Sequence, residues 1–125
     1  MESPIKNIKL SAISKDQLLR LKRFTKIEHW NVLCRWGFAV SLAEKTMPSP
    51  IQVHSDSNVE MDWETFGGED SDVYLLALKQ RMKEDRLPLD NDSIAQQFKL
   101  HLYRGIAYLA SEKLRDISDL VSKSA

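Results

Sequence analysis

The stretch "IEHWNVLCRWGFAVSLAEK", residues 27 to 45, constrains this chain more than any other. At helical spacing its polar residues Glu28, Asn31 and Arg35 share one narrow wedge, while Ile27, Trp30, Leu33, Trp36, Phe38, Val40 and Leu42 point in several directions. A helix that is apolar on most sides must be buried on most sides. A chain of 125 residues has little to bury it with. The reading is therefore a helix over 27–45 that self-association helps to cover, with Leu19, Trp30, Leu33, Trp36, Phe38 and Val40 at the oligomer interface. Pro48 and Pro50 in "TMPSP" stop the helix.

Ahead of it, "IKNIKL" alternates: Ile8 and Leu10 take one side of an extended segment, Asn7 and Lys9 the other. Ser14 then has the features of a helix N-cap, with Gln17 in the capping-box position and Ile13 and Leu18 placed for a hydrophobic staple. The helix that follows, Lys15 to about Lys26, turns Leu18, Leu21, Phe24 and Thr25 to the core. Lys15, Lys22 and Lys26 lie on the opposite face with Arg23 beside them, and Leu19 intrudes into that basic stripe.

Beyond the prolines, 46–70 is an acidic connection without long periodicity, in which "NVEMDW" alternates as a short strand would. Gly67 and Gly68 permit a turn before a helix over 71–86. After "LPLDNDS", Asp90 or Asp92 caps a last helix that carries Ile94, Phe98, Leu102 and Leu109 inward as far as about Leu120. The expected fold is mainly α and oligomeric: a short N-terminal strand followed by four helices, with a ribbon-helix-helix-like N-terminal half. One domain spans 1–125, made of a basic strand-helix-helix unit (1–45), the acidic loop (46–70) and a helical C-terminal half (71–125). No stretch is apolar enough to span a bilayer, and "MESPIKNIKL" has no secretion-signal order, so the expected compartment is the cytoplasm.

A formal net charge of zero conceals a strong partition. Residues 1–45 hold nine bases against four acids, residues 46–92 hold four against eleven, and 93–125 hold five against three. A basic strand followed by a capped basic helix is the order found in ribbon-helix-helix proteins, whose paired strands from two chains enter the major groove of DNA. Lysine and arginine attract phosphate whatever the sequence, and asparagine can read adenine. The candidate DNA-binding residues are Lys6, Asn7, Lys9, Lys15, Arg20, Lys22, Arg23 and Lys26.

Catalytic chemistry finds little support. Cys34 lies in the most apolar helix with no activating base, which marks a buried structural thiol. His29, His54 and His101 lack metal-ligand spacing, and the acids of 56–72 lack the pattern of a calcium loop. "FGGED" lacks the downstream Gly-Lys-Ser/Thr of a phosphate-cradling loop. Neither catalytic residues, metal nor cofactor is expected.

Three strings, "KDQLLRLKRFTKIEHWNVLCRWGFAVSLAE", "SNVEMDWETFGGE" and "FKLHLYRGIAYL", resemble the DndE family of bacterial DNA sulfur modification proteins. The resemblance covers almost the whole chain. It implies a small, tetrameric, non-catalytic subunit that binds duplex DNA, nicked duplex included. The system it implies replaces a non-bridging phosphate oxygen of DNA with sulfur, alongside a cysteine desulfurase and other modification proteins as partners. The alternative is an adaptor or assembly factor of that complex with little direct DNA contact. One departure stands out: glycine is expected at the turn between the first two helices, and Lys26 occupies it.

Overall fold

The computed structural model describes residues 3–111. The expected helical turns between 112 and 120 lie outside the described residues. The element order is β1 (Asn7–Lys9), α1 (Ala12–Thr25), α2 (Trp30–Ala43), β2 (Glu60–Asp62), the short α3 (Trp63–Gly67), a 3-10 turn (Gly68–Asp70), α4 (Ser71–Glu84) and α5 (Asn91–Ser111). The expected fold, a strand and four long helices, is present, and "NVEMDW" does supply a strand.

The two strands pair antiparallel, with Asn7 opposite Asp62, Ile8 opposite Met61 and Lys9 opposite Glu60. Strand alternation works as the sequence implies, since Ile8, Val59 and Met61 are buried and the residues between them exposed. A ribbon-helix-helix protein pairs this strand with its twin in a second chain. Here β2 of the same chain takes that position.

α2 and α5 form the central packed pair. At their crossing Gly37 and Gly105 bring the two backbones together: a Cβ on Gly105 would stand 1.7 Å from the Gly37 carbonyl oxygen. An aromatic cluster fills the space between these helices, α3 and α4. Phe38 lies 5.0 Å from Phe98 and 5.7 Å from Phe66, and Trp63 stacks on Phe66 at 5.3 Å. Such offset and edge-on pairs match the ring quadrupoles.

The start of α1 differs from the sequence reading. Its N-cap is Ser11, three residues early; Ser11 Oγ accepts from the Ser14 N–H at 3.0 Å, and Ile13 is 56% exposed, so no staple forms. A second partner comes from 44 residues away, where Asp56 Oδ1 accepts from the Ala12 N–H at 2.7 Å. Phe24 is also 56% exposed, because it sits about a quarter-turn from the buried line of Leu18, Leu21 and Thr25. α1 ends at Lys26, whose φ of 63° is left-handed and whose N–H donates to Lys22 O. The backbone does need the glycine-type conformation there, and a lysine adopts it. Residues 27–29 then run free of helix, so α2 begins at Trp30 rather than Ile27.

The apolar excess of α2 is absorbed largely inside the chain. Leu33 and Phe38 are fully buried and Val40 is 4% exposed, so these three belong to the protomer core and not to an oligomer face. The physical reason is α5: its long apolar side covers what the local sequence leaves unpartnered. Leu19 is 41% exposed, and Trp30 and Trp36 are half-buried.

Candidate nucleic-acid interface

The eight candidate DNA contacts divide into two groups. On the ribbon, Asn7 Nδ2 donates to Glu60 Oε1, and Lys9 stands directly across from Glu60. Lys6 precedes the strand and is exposed. Lys15, in the first turn of α1, donates from Nζ to Asn58 Oδ1 at 2.6 Å. The ribbon's outer face is therefore of mixed charge, and the acidic segment is not held away from it.

The second group occupies the last two turns of α1. Arg20, Arg23 and Lys26 are exposed, and Lys22 Nζ lies 4.2 Å from the centre of the Trp30 ring, a cation–π contact that ties α1 to the start of α2. No acid occurs between residues 17 and 27. The cations also face the carbonyl end of α1, where positive charge is favourable. Phe24 stands out among them.

Much of the acidity of 56–72 is helix-end chemistry. Asp56 closes the start of α1, and Asp62 accepts from the Thr65 N–H at 2.7 Å to start α3. Hydrogen bonds from Thr65 hold the Asp62 carboxyl below its ordinary range. Glu69, Asp70 and Asp72 surround the start of α4, where negative charge opposes the positive end of the helix dipole. Asp90 caps α5 through the Ser93 N–H at 2.9 Å.

One polar cluster escaped the sequence reading. Arg81 of α4 and Arg104 of α5 converge on the end of α2. Arg81 donates to Leu42 O at 2.9 Å, to Glu44 O and to Thr46 O at 2.7 Å, and pairs with Asp85 at 3.0 Å. Arg104 donates to Ser41 O and to Thr46 O, both at 2.8 Å, and from Nε to Ser41 Oγ at 2.9 Å. Ser41 Oγ and His101 Nδ1 share a further hydrogen bond at 2.8 Å, whose direction follows the imidazole tautomer. Burial first, then Arg104 and Arg81, pushes the His101 pKa down to about 4. These groups serve α2 carbonyls that lack partners at a helix end. Nothing in local spacing announces them.

Cys34 is fully buried in α2, and burial pushes its thiol up to about 12, with Arg35 opposing weakly. Arg35 and Asn31, the polar wedge, instead donate to the carbonyls of Phe66 at 2.9 Å and Thr65 at 3.1 Å, fastening α3. Among the described residues, no three His, Cys, Asp or Glu side chains assemble as a metal site, and no helix is long and apolar enough to cross a membrane.

The family model "DNA sulphur modification protein DndE" matches residues 7–116. Among solved structures, DndE from Escherichia coli B7A, described as involved in DNA phosphorothioation modification, superposes with a TM-score of 0.70 at 27% identity, covering 87% of this chain and 99% of that one. A DndE mutant with glycine-to-lysine substitutions, described as involved in DNA phosphorothioation, superposes at 0.65 with 26% identity, covering 86% and 98%. No curated protein sequence matches. With most of its length matched by the family model and a described fold that follows the solved members, this chain belongs to the DndE family of DNA sulphur modification proteins.

Proposed function

We propose that this protein is the non-catalytic, DNA-binding subunit of a DNA phosphorothioate modification system, and that it grips duplex DNA, nicked duplex included, chiefly through Arg20, Lys22, Arg23 and Lys26. The supporting observation is their arrangement: four cations in the last turns of α1 and its C-cap, three of them exposed, with no acid between residues 17 and 27. Lys6, Asn7, Lys9 and Lys15 are placed second, because Asn7 and Lys15 already bond Glu60 and Asn58 and Lys9 faces a carboxylate. In this reading the active form is a homo-oligomer, a tetramer as in the family expectation, with Leu19, Trp30 and Trp36 at its contacts. It acts beside the other modification proteins and the cysteine desulfurase.

Binding to phosphate releases counterions, so affinity for a duplex oligonucleotide should fall steeply with salt, with a log–log slope that shrinks by about one per phosphate contact removed. Arg20→Ala combined with Arg23→Ala should reduce the slope by about two, while Lys9→Ala should change it by less than one. An unchanged slope and affinity in the double variant would reject the α1 surface. The second reading, an adaptor with little DNA contact, draws on the mixed charge of the ribbon. It predicts weak binding with little salt dependence in the parent protein.

A further inference from the structure

β1 spends only one of its edges on β2. The Trp63 N–H donates to Lys6 O, the Leu10 N–H donates to Val59 O, each at 3.0 Å, and Ile8 stands opposite Met61. Backbone groups alternate in direction along an antiparallel strand. The N–H and C=O groups of Asn7 and Lys9 therefore point to the opposite edge, where the sheet has no further strand among the described residues. That edge opens on a groove of about 220 Å³ between β1 and α5. Ile5, Leu10, Phe98 and Leu102 line it with apolar surface, Lys9 and Lys99 border it, and no carboxylate is among its lining residues.

We propose that this groove receives an extended, acidic segment of another protein, which adds to the outer edge of β1 as a third strand. Edge addition draws affinity from main-chain hydrogen bonds and specificity from every second side chain. Here one set of alternate side chains meets the apolar floor and the other meets the lysines, so the fitting segment alternates apolar with acidic residues. A second copy of β1 is disfavoured as the occupant, because it would bring its own lysines against these; lysines on an exposed edge commonly guard against such self-pairing. Charge complementarity selects the acidic partner.

The test uses the whole chain and a fluorescein-labelled seven-residue peptide alternating valine with glutamate, with two controls: lysine for glutamate, and proline at the centre. The glutamate peptide should bind saturably and shift the backbone amide resonances of Asn7 and Lys9. Both controls should bind at least about tenfold more weakly, the lysine peptide through charge and the proline peptide through a lost ladder bond. Lys99→Glu should weaken the glutamate peptide about fivefold to tenfold, as reversal of one screened charge allows. Lys99→Gln serves if the reversal lowers the melting temperature. Absence of saturable binding, equal binding of the controls, or shifts that bypass Asn7 and Lys9 would overturn the proposal. So would a duplex oligonucleotide that shifts those two amides when the peptide does not, which would assign the groove to nucleic acid.

Discussion

Among the glycines, Gly105→Ala meets the closest obstacle, and Gly37→Ala is its internal control. The new methyl at 105 would stand 1.7 Å from the Gly37 carbonyl oxygen and 2.3 Å from its carbon, where relaxed carbon contacts lie at about 3.5–4.0 Å. Both obstacles are backbone, so no rotamer change relieves them; α2 and α5 must separate by about 1.5–2 Å. A gap of only 0.5–1 Å already forfeits about a quarter to a half of each dispersion contact. Along this seam the loss reaches Phe38 against Phe98 and Gly37 against Ile106. We expect a cost of about 4–5 kcal/mol, above ordinary overpacking, reduced by about 1 kcal/mol from replacing glycine within a helix. The net loss of about 3–4 kcal/mol is a large share of the roughly 5–15 kcal/mol that holds a domain folded. At Gly37 the added methyl would meet Ile106 N at 3.0 Å and Ile106 Cγ1 at 3.1 Å, a crowding that small shifts can relieve. There the helix-propensity gain should roughly cancel the cost, leaving Gly37→Ala within about 1 kcal/mol of the parent. Urea denaturation followed by far-ultraviolet circular dichroism measures both. If Gly105→Ala lies within 1 kcal/mol of the parent, or Gly37→Ala is the worse variant, the backbone contact does not have the role argued for it.

Two further predictions rest on buried groups. His101 is neutral in the folded chain down to about pH 4, whereas the unfolded chain takes up its proton near the ordinary value of about 6.5. Stability should therefore be intact above pH 6.5 and fall as the pH drops from 6.5 toward 4, by about 3 kcal/mol from this group. His101→Gln should flatten that part of the profile relative to the parent; identical slopes would refute the assignment. The Cys34 thiol, fully buried and pushed up to about 12, should react with a thiol reagent at pH 8 only as fast as the protein opens. Cys34→Ser should leave DNA binding unchanged, and rapid stoichiometric labelling of the folded protein would contradict the burial.

The parts of the fold that could be read from sequence are those written in local periodicity. Alternation at Ile8, Val59 and Met61 marked both strands, and the polar wedge of α2 correctly separated Asn31 and Arg35 from the buried sides. What escaped depends on partners distant in sequence. The start of α1 is shared between the local Ser11 cap and Asp56 reaching Ala12 from 44 residues away, and the capping-box pattern alone, which pointed to Ser14, contains nothing of the second. Phe24 lies at the margin of the apolar arc, where helical spacing cannot tell buried from exposed. The excess apolar surface of α2 suggested neighbouring subunits because α5, more than fifty residues on, could not be known to cover Leu33, Phe38 and Val40. At the candidate interface the basic composition was visible, but the cross-strand carboxylate that tempers Asn7 and Lys9 appears only once β2 is in register.

The grip of Arg81 and Arg104 on the carbonyls of Ser41, Leu42, Glu44 and Thr46 has a mechanical consequence. It anchors one end of α2 to two other helices at once, so that end cannot peel away without breaking several charge-assisted hydrogen bonds together. The other end begins at His29 with no side-chain cap, beyond the left-handed Lys26. The α1–α2 corner is held instead by single contacts, the Lys22 ammonium over the Trp30 ring and the Ile27 N–H donating to Thr25 Oγ1 at 3.2 Å, so the densest run of positive charge sits where α2 is tied to its neighbour by fewer bonds than at its far end.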